Sequence, residues 1–510
     1  MSRTLERSAA AAAIVGPIAV LLLAAVLAMP ARGGPSEVRS GDRLAFALAG
    51  ARVITAPGRV FDPGVVVVRG GVIEAVGMDG RVAVPADARV FDLKGKTLHA
   101  AYIDPYVDAD RLAGRRPRAP IDDEEQAEQP APSGRGAAAG ATPVPPPASP
   151  AHPEQRVLDS LKISDRVADM YRRLGFAVVA AVPSAGVLRG TGALLSLGDG
   201  PLETRVLDRD AGQYVSLEPE RFDFTNFARI TYPISKMGAV AMVRQAFSDA
   251  VWSREAEAAY SRRTTGQPRP RSDAASLALR AASEGKQAVV FEASDVLALL
   301  RAAKIAREWK LKARYVGAGD EYRLRAEVAA IKPDLILRVD FPRPLPVEDE
   351  TEWLDVSLER LRRFDRSPSN PRWLRDAGLT FSLTTAGLED PEDFGKRVRE
   401  AMARGLSSDD ALASMTTVPA RQLGFADRLG SIDPGKIADL AVETGDPFAE
   451  TSRVVEIWID GRRHELPERR RAPEAGTRAA ERSSPPARGG RARGEGEGPP
   501  GEGVGKPGSD

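Results

Sequence analysis

From residue 158 to about 424 the chain alternates short apolar runs with longer segments of helical periodicity, and this alternation narrows the possible folds most. The apolar runs are Ala177–Val182, Ala288–Phe291, Ala313–Val316, Leu335–Val339 and Leu379–Leu383. Alternating with them, Ile163–Leu174, Met237–Ala259 and Ala293–Trp309 carry apolar residues at the spacing of a helix with one buried face. Short strands that are apolar on both faces and separated by helices indicate a parallel sheet covered by helices. The length suits an α/β fold of the (β/α)8 TIM-barrel type with insertions.

Both ends of this region read as β. Leu44–Val53, Val65–Val68, Val72–Val76 and Arg89–Leu93 are expected strands, with turns at Pro63-Gly64, Gly70-Gly71 and Asp79-Gly80. After the barrel, Ala438–Val442 and Val454–Ile459 are expected strands, followed by an Asp460-Gly461 turn. The expected division is therefore an export or anchor segment with linker over 1–43 and a first β part over 44–98. The barrel domain follows over 99–436, then a second β part over 437–466 and a tail over 467–510. Residues 113–155, which include Pro145-Pro146-Pro147, and the Arg/Gly/Pro/Glu-rich tail bury too little to offset their ordering entropy. Both are expected to be disordered.

Arg3 and Arg7 precede an uncharged apolar run from Ala9 to Met29. A basic flank and an apolar core make an export signal, and the run is close to the roughly 20 residues that span a bilayer. A cleaved signal and a retained anchor both follow from it. Either leaves the rest of the chain outside the cytoplasm, with membrane contact only through this segment.

Composition removes several classes of function. With 72 basic and 71 acidic residues the net charge is +1, which gives no excess to offset nucleic-acid phosphate. Without cysteine there are no disulfides, thiolate metal sites or cysteine nucleophile. Histidine is limited to His99, His152 and His464. His152 falls in the expected disordered insertion, His464 lies beyond the last β-run, and His99 precedes the first barrel strand, where a loop or interface role is ordinary.

Two stretches carry a family resemblance. Thr416-Thr417-Val418-Pro419-Ala420-Arg421-Gln422-Leu423-Gly424, followed by Gly430-Ser431-Ile432-Asp433-Pro434-Gly435-Lys436-Ile437-Ala438-Asp439-Leu440, resembles the closing helix and return to a small β-domain in the amidohydrolase superfamily, especially its imidazolonepropionase-like branch. Gly70-Gly71-Val72-Ile73-Glu74-Ala75-Val76-Gly77 and Asp92-Leu93-Lys94-Gly95-Lys96-Thr97 are similar to the β-domain that leads into its first barrel strand. Pro183–Ala193 and Tyr232–Ala239 resemble segments of a bacterial branch of the same superfamily. The resemblance covers about residues 44–112 and 158–465, and implies a composite β-sandwich built from both chain ends beside the barrel.

It also implies hydrolysis of C–N bonds in amides or ring amidines by a divalent metal such as zinc, held by imidazoles and a carboxylate at the C-terminal mouth. Here the two positions matching the family's His-x-His pair hold Tyr106 and Asp108, a later histidine position holds Glu292, and the final aspartate position holds Ala386. Zinc therefore has no imidazole or thiolate ligand set, and no cofactor is expected. Asp104, Asp108, Asp110, Glu292 and Asp340 lie near expected strand ends, and three converging carboxylates could hold a hard cation. Ser184 has no evident base, and Gly190-Thr191-Gly192 lacks the Lys-Ser/Thr of a phosphate loop. Three functions stay open: a metal-free pseudoenzyme binding a small molecule in the barrel pocket, an active hydrolase with an oxygen-ligand metal site, and a structural envelope protein. The oligomeric state is open as well.

Overall fold

The structure is a computed structural model that describes residues 45–115, 151–219, 232–271, 273–344 and 356–466. The apolar run 9–29, residues 116–150 and the tail from 467 lie outside them. No helix among the described residues is long and apolar enough to cross a membrane.

The strands open with β1 (Ala45–Ala56), β2 (Arg59–Arg69), β3 (Val72–Met78), β4 (Ala88–Asp92) and β5 (Thr97–Ala100). Next come β6 (Tyr102–Asp108), β7 (Phe176–Val182), β8 (Leu188–Ser196), β9 (Val206–Ser216), β10 (Val289–Glu292), β11 (Ala313–Gly317), β12 (Leu335–Arg338) and β13 (Phe381–Thr384). Last are β14 (Leu440–Glu443), β15 (Val454–Ile459) and β16 (Arg462–Glu465).

The two chain ends build one sheet, ordered β16-β15-β14-β5-β1-β2-β3 with β4 also on β1. β1 is long enough to be shared lengthwise: Ala45–Ala49 pair with β4 and Arg52–Ile54 with β5. At the far edge Ile73 N donates to Lys436 O at 2.8 Å, so the sheet curls back toward the segment that leads into β14. Leu48, Val66, Leu98, Leu440 and Trp458 fill the inside of the curl. Two sequence expectations change here. Pro63-Gly64 is not a turn but lies inside β2; the turn is at Pro57-Gly58. A side chain at Gly64 would meet Val53 at 2.8 Å, so glycine serves close strand approach there rather than chain reversal. The boundary set at 98/99 also falls inside β5, which carries His99.

The second sheet runs β13-β12-β11-β10-β9-β8-β7-β6 and nearly closes into a barrel. β6–β7 and every neighbouring pair from β9 to β13 are parallel, but β8 is antiparallel to both β7 and β9. The expected eight parallel strands are thus seven, plus one reversed. The cause is loop length: residues 183–187 and 197–205 are too short for the crossover of about a dozen residues that parallel neighbours need. β6 and β13 meet at the seam through side chains. Asp104 accepts from Thr384 Oγ1 at 2.6 Å, Thr385 N at 3.0 Å and Thr385 Oγ1 at 2.6 Å.

The insertion is also shorter than expected at its end. Ala151 and Arg156 form bridges with Leu188 and Thr191 of β8, and His152 N donates to Leu188 O at 2.8 Å. Residues 151–155, His152 among them, are therefore part of the packed chain.

Candidate site at the barrel mouth

Parallel strands all deliver their last residues to one rim, so β6, β10 and β12 place Tyr106, Asp108, Glu292 and Arg338 on the same side of the barrel. Tyr106 points inward from β6 and is 4% exposed. Its ring packs with Val182, Tyr214, Val290, Val316 and Ile336, and Ala386 closes against the same cluster. Its hydroxyl donates to Glu292 Oε2 at 3.2 Å.

The residue that organises this group is Arg189. It comes from β8, the reversed strand, which sends its N-terminal end toward the mouth. Arg189 Nη2 lies 2.6 Å from Glu292 Oε2, and Nη1 donates to the Tyr106 hydroxyl at 2.9 Å. Arg338 Nη1 stands 3.9 Å from the other Glu292 oxygen. Burial disfavours the charged form of Glu292, but the two guanidinium groups outweigh it and hold the carboxyl below its ordinary value. Burial, then the Glu292 charge, pushes the Tyr106 phenol far up, so it stays a neutral donor.

The other expected residues serve local structure. Asp108 caps the short helix Ala109–Leu112, its Oδ1 accepting from Asp110 N at 2.7 Å and Ser184 Oγ at 2.6 Å. Burial raises its pKa against those hydrogen bonds. Ser184 is thus a donor to a carboxylate. Asp104 belongs to the seam, and Asp110 pairs with Arg115 at 2.9 Å on an exposed turn. Asp340 lies 4.0 Å from Arg338 Nε and fills the space a side chain at Gly387 would need. Gly190 and Gly192 permit close packing: added side chains would meet Gln155 O at 2.3 Å and the Tyr214 ring at 2.3 Å.

The donor set does not fit a catalytic metal. A neutral phenol, an alanine and a carboxylate already neutralised by guanidinium occupy three of the positions that the family resemblance matches to metal ligands or the proton-accepting aspartate, and Asp108 is engaged by two donors. Among the described residues no group of three or more His, Asp or Glu could hold a metal ion.

Three features were missed in the sequence. Arg189 lay in the segment Pro183–Ala193, which carried a family resemblance but no site role. Asp320 follows β11, 6% exposed, and is pushed up to about 7 by burial and then by the neighbouring Glu321. Asp320 stands four positions beyond the apolar run Ala313–Val316, whereas Asp340 follows Val339 directly, so the strand-end signal that flagged Asp340 was weaker for Asp320. His99, expected in a loop or interface, is a fully buried β5 residue whose Nε2 lies 3.0 Å from Glu443 Oε1 on the adjacent strand β14.

The amidohydrolase family model matches residues 369–463. The amidohydrolase tasK of Hapsidospora irregularis is 30% identical over 137 residues, which is 27% of this chain; the match spans only 14% of that protein's length. The crystal structure of an amidohydrolase from Thermotoga maritima MSB8 aligns with a TM-score of 0.61 at 21% identity, covering 82% of this chain and 99% of that one, which shows the fold. The family-model match and the curated relative support the resemblance carried by the motif over 416–440, and the fold is that of an amidohydrolase: over its C-terminal part the chain is similar to the amidohydrolase superfamily.

Proposed function

We propose that this chain is a metal-independent protein of the amidohydrolase type that binds a small molecule at the barrel mouth, with a cyclic amide or related C–N compound as the ligand class that the sequence resemblance implies. One observation carries the reading: Arg189, 2.6 Å from Glu292 and 2.9 Å from Tyr106, supplies the positive charge that a bound ion would otherwise bring. We also read the composite sheet as the superfamily's split β-sandwich, and place the protein outside the cytoplasm because of the Arg-flanked run 9–29.

Elemental analysis of protein purified without added metal or chelator tests this, paired with an assay on cyclic amides and acyl dipeptides. We expect less than stoichiometric metal and no turnover. Stoichiometric zinc or manganese with turnover abolished by Asp108→Ala overturns the proposal. Asp320 favours a second reading, a hydrolase that keeps acid–base chemistry without imidazole, since its pKa of about 7 suits proton exchange at neutral pH. Turnover that falls at least about 100-fold in Asp320→Asn would support that reading instead.

A further inference from the structure

Away from the mouth, a groove of about 780 Å³ runs between helix Lys236–Arg262 and helix Val296–Glu308. Met237, Val240, Ala241, Ile305 and Trp309 give it apolar walls, and Met237 is 83% exposed. Lys236, Arg244, Arg301 and Lys304 stand along it, and no acidic side chain lines it. Two of these cations are engaged: Lys236 with Glu218 at 3.1 Å and Arg244 with Glu308 at 2.8 Å. Arg301 and Lys304, one helical turn apart and both exposed, have no ion-pair partner among the described residues. Trp309 Nε1 also lacks a hydrogen-bond partner there. Apolar walls topped by two uncompensated charges of one sign match an amphiphile with an anionic head.

The groove's volume falls within the ~300–1,000 Å³ typical of small-molecule sites, and its charge favours an anionic head over a cationic or neutral one. We propose that it binds a long-chain carboxylate, with the alkyl chain along Met237, Ala241 and Ile305 and the head between Arg301 and Lys304.

Titrate the intact chain with sodium dodecanoate below its micelle concentration, following tryptophan fluorescence and calorimetry. Run dodecyltrimethylammonium in parallel, together with an Arg301→Glu/Lys304→Glu variant and an Ala241→Trp variant that fills the groove. All three positions are exposed on helices, and thermal melts confirm that the variants fold. The expected result is one saturable dodecanoate site, weakened about tenfold or more by charge reversal, as loss of a charge-assisted contact implies, and abolished by Ala241→Trp. Equal binding of dodecyltrimethylammonium, indifference to charge reversal, or persistence in Ala241→Trp overturns the proposal. So does the absence of saturable binding, which would leave the groove to another part of the chain or to a protein partner.

Discussion

Arg189 and Glu292 are each mostly buried, and neither is easily kept charged without the other. Arg189→Met is therefore expected to destabilise the protein by about 3–5 kcal/mol, toward the lower end because Glu292 still reaches some solvent. Adding Glu292→Leu should recover much of that loss, which denaturant unfolding of the four variants in the cycle would measure. Asp439, in the motif that carries the family resemblance, makes a pH-dependent case. Burial and then the Asp460 carboxylate push it up to about 8, while its Oδ1 accepts from Asp460 N at 2.8 Å. The folded chain thus keeps a proton that the unfolded chain releases near pH 4. The stability tied to that proton is complete below pH 4 and is lost as pH rises toward 8. Asp439→Asn should match wild type near pH 4 and melt about 2–4 °C higher near pH 8, read from thermal melts across that range. Tyr106, Glu292 and Ala386 were nameable in the sequence because a strand end fixes where a residue sits. Arg189 was not, because its role depends on a partner 103 positions away and on the direction of a strand that had not been recognised.

That strand is β8. The helices and parallel strands were legible because their apolar spacing is set by burial on one face or two. β8 carries Gly190 and Gly192, which read locally as a turn, yet it is buried along almost its whole length between β7 and β9. Gly190 has φ of 101°, and a side chain there would meet Gln155 O at 2.3 Å. Gly190→Ala is expected to cost about 1–3 kcal/mol from backbone strain alone. It would also push residues 151–156 off the strand that bears Arg189. A lower denaturant midpoint, with faster proteolysis near Gln155, would register both effects. Pro63-Gly64 was misread for a related reason: sequence marks where glycine is needed but not whether a turn or a neighbouring strand needs it.

At the scale of the molecule, the first sheet depends on both chain ends. A chain ending at residue 436 would lose β14–β16 and leave the β5 edge and the Leu98 core uncovered. It is expected to aggregate, as size-exclusion chromatography would show, since an open apolar strand edge templates further pairing. Fractionation of the host cell is expected to place the full chain outside the cytoplasm, and recovery in the cytosolic fraction would refute that placement. The pairing of β5 with β14 sets His99 against Glu443, 344 residues further along. A ribosome must therefore make almost the entire polypeptide before the outer edge of β5 is covered, although β1 to β5 can already pair among themselves. So long a sequence separation makes the closing of that edge a late and slow step of folding, and until it happens the sheet's middle carries an open strand edge.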